Sequence, residues 1–140
     1  MKKTLITLFL ITLISGVLRA QDRATTVEEY NYLRRGAYNT ILPGHTLRPS
    51  IVNLRLSYMM TGDRTCRISE FYRDGSSNPC AIVLILGSSG DGENAFIPVP
   101  DYNSDPSLWN AYKEQLSSLS LGGNELTTIA YALAKYAASH

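Results

Sequence analysis

The pattern of apolar and polar positions is clearest in the middle of the chain, where residues 80–86 form an unbroken apolar run between two turn-forming segments. Seven residues are too few for a typical globular helix, and the β-branched Ile82, Val83 and Ile85 favour a pleated backbone. Gly, Ser, Asn and Pro residues lie at both ends of the run. We therefore predict a central β-strand that is buried on both faces and has a neighbour on each edge.

Two segments before this run alternate apolar and polar residues with a period of two, which is typical of half-buried strands. They cover residues 52–61 and 66–72 and predict an antiparallel hairpin. We prefer a three-residue loop, residues 62–64, to a two-residue loop because it places Ile68 opposite Tyr58 on the apolar face. The hairpin supplies the first two strands of the predicted sheet.

An N-terminal helix is predicted by a capping box at Thr26 and Glu29, in which each residue accepts a hydrogen bond from the backbone amide of the other. We expect this helix to end between residues 35 and 40, where glycine begins to interrupt the helical spacing of apolar residues. Residues 45–50 are predicted to be an irregular connection, because the proline in this stretch disfavours helix at the residue before it.

The last part of the chain predicts a fourth strand and two helices. Residues 95–100 are extended but contain two prolines, which cannot donate ladder hydrogen bonds, so this strand belongs at an edge of the sheet. Asp105 and Pro106 are typical of a helix start, and Asn124 is expected to cap the last helix. The order of elements predicts an α+β two-layer domain, with a four-stranded antiparallel meander sheet, one N-terminal helix and two C-terminal helices, all on one face.

The first twenty residues are typical of a secretory signal peptide, with two lysines, an apolar stretch and a plausible cleavage site before Gln21. We therefore divide the chain into a signal peptide, residues 1–20, and a single small α+β domain, residues 21–140. The expected location is periplasmic or extracellular, as for an exported bacterial protein. No lipid-anchoring cysteine follows the apolar stretch, so no membrane anchor is expected in the mature form.

The net charge of the mature chain bears on whether its partner could be a nucleic acid. The formal net charge of +1 becomes −2 when Lys2, Lys3 and Arg19 leave with the signal peptide. This balance gives no electrostatic footprint for nucleic acid. Arginines concentrate in the first half of the mature chain and carboxylates in the second. The two halves either complement each other across one surface or leave an arginine-lined surface for an anionic ligand.

The two cysteines, Cys66 and Cys80, leave two alternatives open. An exported chain has the redox environment for a disulfide between them. A bridge needs Cα atoms roughly 4.4–6.8 Å apart, whereas a hairpin turning after residue 73 separates them by on the order of 20 Å. Either the disulfide or the hairpin is correct, and the alternative to a disulfide is a pair of buried thiols.

Two short motifs come close to known sites and fail. Residues 87–93 have the glycine spacing of a phosphate loop, but Glu93 replaces the lysine. Residues 101–105 begin like a calcium loop, but Pro106 replaces the turn glycine. Histidine offers little for catalysis, since one of the two is the terminal residue. We predict no catalytic residue, no metal site and no cofactor.

The leading hypothesis for function is a small binding or interaction module that contacts a protein or a glycan. The candidate binding residues are Arg55, Arg67, Arg73 and Tyr102. Tyr102 is one of four tyrosines that no predicted core face uses, the others being Tyr32, Tyr38 and Tyr131. One alternative is a small secreted hydrolase that uses Ser88 or Ser89 with a nearby carboxylate, Asp91, Glu93 or Asp101. Another is a structural periplasmic domain.

Overall fold

The computed structural model of the 140-residue chain describes residues 24–36, 42–58, 62–88, 94–119 and 121–138, so the predicted signal peptide lies outside the described residues. Within them the elements follow the predicted order and confirm the α+β class, with a four-stranded antiparallel meander sheet, one N-terminal helix and two C-terminal helices. The elements are α1 (Val27–Arg35), β1 (His45–Tyr58), β2 (Gly62–Arg73), β3 (Ala81–Ser88), β4 (Asn94–Pro100), α2 (Pro106–Ser118) and α3 (Gly123–Ala138).

The sheet is an antiparallel meander in the order β1-β2-β3-β4. β3 pairs on both edges, with β2 and β4, and its residues 81–87 are buried, which confirms the predicted central strand. β4, with its two prolines, lies at an edge as predicted. The turn before β3 is also where we expected it, with Gly75 at φ 79° and the Ser76 amide donating to the Arg73 carbonyl.

β1 begins earlier than predicted, which corrects the assignment of residues 45–50 as an irregular connection. His45 pairs with Arg73, and the ladder continues to Arg48 before the register shifts. The shift falls between Arg48 and Val52, around the proline. Because β1 is an edge strand, a local break in its ladder leaves the rest of the sheet intact, so the proline is tolerated there.

The register of the first hairpin also differs from the prediction. Tyr58 pairs with Gly62, and Ile68 therefore lies opposite Val52 and not opposite Tyr58. The connection is residues 59–61, which lie outside the described residues. The hairpin turns three residues earlier than predicted, which moves the partner of Ile68 by six positions. An even displacement keeps every side chain on its predicted face, because strand side chains alternate with a period of two.

The main core lies between one face of the sheet and the two C-terminal helices. α2 packs over β4, and α3 packs over β1 and β2. Alternate residues of three strands contribute to this core, namely Cys66, Ile68, Ile82, Leu84, Leu86, Ile97 and Val99. The helices contribute a matching apolar stripe that includes Tyr112, Leu116, Ile129, Leu133 and Tyr136.

α1 packs on the opposite face of the sheet, which corrects the expectation that all three helices lie together. Leu33 belongs to a second cluster with Phe71 and Ala81. Phe71 and Ala81 are cross-strand partners and alternate with the residues that face α2 and α3. The unbroken apolar run of β3 explains this arrangement, because its second face must also be removed from water.

The helix starts follow local signals with one exception. The capping box at Thr26 and Glu29 forms as predicted, and Asp105 accepts a hydrogen bond from the Ser107 amide at the start of α2. α3 begins at Gly123, so Asn124 is already inside the helix and does not cap it. The Glu125 carboxylate accepts from the Gly122 amide instead, at 3.2 Å. No helix within the described residues is both long and apolar enough to span a membrane.

Both cysteines are free thiols, and both are buried. Cys66 lies opposite Leu86 in the β2–β3 ladder, whereas the amide of Cys80 donates to the Phe71 carbonyl at the other end. The hairpin that excludes a disulfide is therefore the correct alternative.

Candidate functional site

The four predicted binding residues do not form one group. Arg67 lies in β2 and is exposed. Arg55 lies in β1, where its backbone pairs with that of Thr65 in β2, and its side chain lies outside the described residues. Arg73 is six residues from Arg67 along the same strand, on the order of 20 Å away. Tyr102 lies in the loop between β4 and α2.

Of the four tyrosines that no predicted core face uses, the structure describes three. Tyr32 is buried and stacks on Phe71 with ring centroids 5.7 Å apart, so its assignment to a recognition surface is wrong. Tyr38 lies outside the described residues. Tyr102 and Tyr131 are exposed, with 43% and 62% of their surface accessible.

The carboxylate of Glu29 is the centre of a polar cluster at the end of the sheet where α1 begins. Its Oε1 accepts hydrogen bonds from the Thr26 amide and from Arg73 Nη2, both at 2.8 Å. Its Oε2 accepts from Arg73 Nε, also at 2.8 Å. Only 3% of the Glu29 side chain is exposed. A buried carboxylate that is paired in this bidentate manner is held in one orientation.

Two further side chains reach the same Oε2 atom. His45 Nε2 contacts it from the start of β1, and the His45 ring stacks on Phe71 with centroids 4.9 Å apart. The Sγ atom of Cys80 lies 3.6 Å from Oε2 and 3.4 Å from the Phe71 carbonyl. We call Glu29, His45, Arg73 and Cys80 the Glu29 cluster.

The cluster shifts the pKa values of its members. Burial alone disfavours the charged carboxylate of Glu29, but hydrogen bonds from Arg73, the Thr26 amide and His45 outweigh it and lower its pKa to about 2. Burial raises the pKa of the Cys80 thiol to about 12, and the nearby negative charge of Glu29 adds to this effect. At neutral pH Glu29 is therefore ionised and Cys80 is a thiol.

Hydrogen-bond acceptors lie at both ring nitrogens of His45. Its Nδ1 lies 2.9 Å from the Pro43 carbonyl oxygen, which can only accept a hydrogen bond. Its Nε2 faces an ionised carboxylate, which also can only accept. Each ring nitrogen of His45 therefore faces a hydrogen-bond acceptor, Nδ1 the Pro43 carbonyl and Nε2 the Glu29 carboxylate.

The same atoms form a set of metal-ligand types. One donor atom each from Glu29, His45 and Cys80 lies within 4.8 Å of the other two. The sequence analysis missed this set because the three residues are far apart in the chain and match no short motif. The sequence did predict the capping box, which places Glu29 in the first turn of α1. The capping box does not predict which other groups contact the Glu29 carboxylate.

A second hydrogen-bond network, centred on Thr25, joins this cluster to the loop that carries Tyr102. The Thr25 amide donates to Ser104 Oγ, and the Asp101 amide donates to Thr25 Oγ1, both at 2.8 Å. The Thr25 hydroxyl donates in turn to the Cys80 carbonyl. Thr25 is only 4% exposed. The start of α1, the start of β3 and the β4–α2 loop are therefore held together by one buried side chain.

The β4–α2 loop is further stabilised from within. The amide of Asn103 donates to Asp101 Oδ2 at 3.1 Å, and the amide of Ser104 donates to the Asp101 carbonyl at 3.0 Å. Asp101 is fully buried and Ser104 is 6% exposed. Tyr102 thus projects from a loop that is anchored by two buried, hydrogen-bonded residues, Asp101 before it and Ser104 two positions after it.

The hydrolase alternative stays a prediction. Ser88 is the last residue of β3 and pairs with Arg64, but its side chain lies outside the described residues. Ser89, Asp91 and Glu93 also lie outside them. The only predicted acidic partner that the structure describes is Asp101, whose carboxylate is engaged within its own loop.

Comparison with known proteins gives no relative to set beside this geometry: no family model, no curated protein and no solved structure matches the chain. What can be inferred about its function rests on the contacts of its own residues.

Proposed function

We propose that the protein is a small exported binding module that takes its ligand, a glycan, on the β4–α2 loop at Tyr102. The observation that supports this proposal is an exposed aromatic ring on a loop fixed by buried hydrogen bonds. Tyr102 is 43% exposed, whereas Thr25, Asp101 and Ser104, which hold its loop by hydrogen bonds, are buried. A side chain held on a rigid support loses little conformational entropy on binding, so more of its contact energy appears as affinity.

The surroundings of the ring favour a glycan over a protein ligand. Three neighbouring residues in sequence, Asn103, Asp105 and Ser107, are polar and exposed. A tyrosine ring packs against the C–H face of a sugar while such groups bond to its hydroxyls. The core of a stable protein–protein interface requires a larger apolar patch. Within the described residues the exposed large apolar side chains are Val27, Tyr102 and Tyr131.

The proposal is tested with the fluorescently labelled mature protein on a glycan array, followed by calorimetry with the best-bound oligosaccharide. We expect Tyr102→Ala to weaken binding at least roughly tenfold, as truncation of an aromatic contact residue does. Tyr131→Ala is the matched control, because Tyr131 is even more exposed but lies on α3. Equal affinity of the Tyr102→Ala variant and the wild type, or the absence of any bound glycan, contradicts the proposal.

A further inference from the structure

The Glu29 cluster brings three metal-ligand types together from three separate elements. Glu29 comes from the first turn of α1, His45 from the first residue of β1, and Cys80 from the residue before β3. Their donor atoms lie within 4.8 Å of one another. Carboxylate, imidazole and thiolate are the three protein ligands of zinc, and three of them with one open position is a common zinc arrangement.

The separation of Cys80 and Glu29 fits a zinc ion, whereas His45 Nε2, which contacts Oε2 directly, must draw back from it on binding. Tetrahedral zinc with bonds of about 2.3 Å to sulfur and about 2.1 Å to oxygen places these two ligands roughly 3.6 Å apart. The Sγ atom of Cys80 and Oε2 of Glu29 are 3.6 Å apart. His45 has 14% of its side chain exposed, which gives an ion a route from solvent.

The ligands are also oriented by neighbouring groups. Nδ1 of His45 donates to the Pro43 carbonyl, which leaves Nε2 directed at the cluster. Arg73 occupies one lone pair on each oxygen of Glu29, which fixes the carboxylate and leaves a second lone pair of Oε2 toward His45 and Cys80. Such hydrogen bonds to the remote atoms of the ligands are typical of zinc sites.

We propose that Glu29, His45 and Cys80 bind one zinc ion. On binding, Zn²⁺ enters, Cys80 Sγ gives up its proton to become a thiolate ligand, and His45 binds through an Nε2 that carries no proton. Arg73 and Glu29 keep their charges and their pairing. The fourth position is open to a water molecule. This site does not depend on the proposed glycan surface, and either proposal can fail alone.

The test uses the mature protein freed of metal with a chelator and titrated with Co²⁺, a spectroscopic substitute for zinc. We expect one ion per chain, a thiolate-to-cobalt absorption band, and its loss when Zn²⁺ is added. Calorimetry with Zn²⁺ in buffers of different ionisation enthalpy is expected to show proton release, because Cys80 binds as a thiolate. No binding, or binding without the thiolate band, overturns the proposal.

Variants assign the site to its residues. Cys80→Ala is expected to abolish the thiolate band, and Cys66→Ala is the matched control, because Cys66 is equally buried but lies at the far end of the ladder. His45→Gln is a second, independent variant and is expected to weaken zinc binding at least roughly tenfold. Circular dichroism confirms that each variant folds. A thiolate band that persists in the Cys80→Ala variant, or that is lost in the Cys66→Ala variant, overturns the assignment.

Discussion

The guanidinium of Arg73 donates two parallel hydrogen bonds to the carboxylate of Glu29, from Nε to Oε2 and from Nη2 to Oε1, each at 2.8 Å. The same carboxylate closes the capping box at the start of α1. Arg73 also donates to the Ala24 carbonyl at 2.6 Å. The side chain of Glu29 therefore caps the start of the N-terminal helix and also holds this helix against Arg73, the last residue of β2.

This pair predicts how stability depends on pH in the metal-free protein. The pKa of Glu29 is lowered from 4.5 to about 2 on folding, so its contribution is complete above pH 4.5 and is lost as the pH falls toward 2. The contribution is up to about 3 kcal/mol at neutral pH. Urea unfolding across this range is expected to show the loss in the wild type.

Glu29→Gln is the control for that experiment, since it keeps the shape of the side chain and removes the titrating group. The variant is expected to be less stable at neutral pH and to show a correspondingly smaller decline in stability between pH 4.5 and 2. An identical acid decline in both proteins would show that other carboxylates are responsible.

Gly36, at the end of α1, lies where this helix packs closely against β4. It has φ +64°, and a Cβ atom there would overlap the ring of Phe96. Gly75 also has a positive φ, +79°, but a Cβ there has no neighbour within 4 Å. Gly75→Ala is therefore expected to cost only backbone strain, about 1–2 kcal/mol, and Gly36→Ala clearly more. Equal melting temperatures of the two variants would show that α1 does not pack on Phe96.

Two buried tyrosines are expected to respond oppositely to removal of the hydroxyl group. Tyr112 Oη is buried and has no hydrogen-bond partner among the described residues, so Tyr112→Phe should be neutral or stabilising. Tyr136 Oη donates to Glu70 at 2.7 Å, so Tyr136→Phe should cost roughly 1–2 kcal/mol. Denaturant midpoints measure both, and a destabilised Tyr112→Phe variant would indicate a partner for that hydroxyl.

Thr25 is expected to control the order of the β4–α2 loop. Thr25→Val removes the hydroxyl that accepts from the Asp101 amide while preserving the shape of the side chain. The unfolding free energy should fall by roughly 1–3 kcal/mol, and exchange of the Asp101 amide hydrogen should accelerate. Thr25→Ser keeps the hydroxyl and should retain most of the protection. Unchanged exchange in the valine variant would contradict the anchoring role of Thr25.

Local signals predicted most of the fold because they act within a few residues. Three such signals each determined one element from nearby residues. They are the capping box at Thr26, the cap and proline at the start of α2, and the apolar run of residues 80–86. The exact register of the first hairpin was not predictable in this way. Alternation determines which face a side chain takes, but it is satisfied equally by any even shift.

The Glu29 cluster was beyond the reach of such local reasoning. The partners of Glu29 lie 16, 44 and 51 residues away, at His45, Arg73 and Cys80. Their convergence requires β1 to begin at His45 and α1 to lie on the second face of the sheet. Both features result from tertiary packing, in which β2 and the second face of β3 each need a partner.

The convergence of these side chains on Glu29 is tested most directly by the ¹⁵N NMR spectrum of the His45 imidazole in metal-free protein at pH 7. His140→Ala leaves His45 as the single histidine, since the chain has two. The hydrogens on the His45 ring nitrogens are expected to exchange slowly with water, because the Pro43 carbonyl and the Glu29 carboxylate lie against those nitrogens. Rapid exchange of these ring hydrogens with water would contradict the cluster.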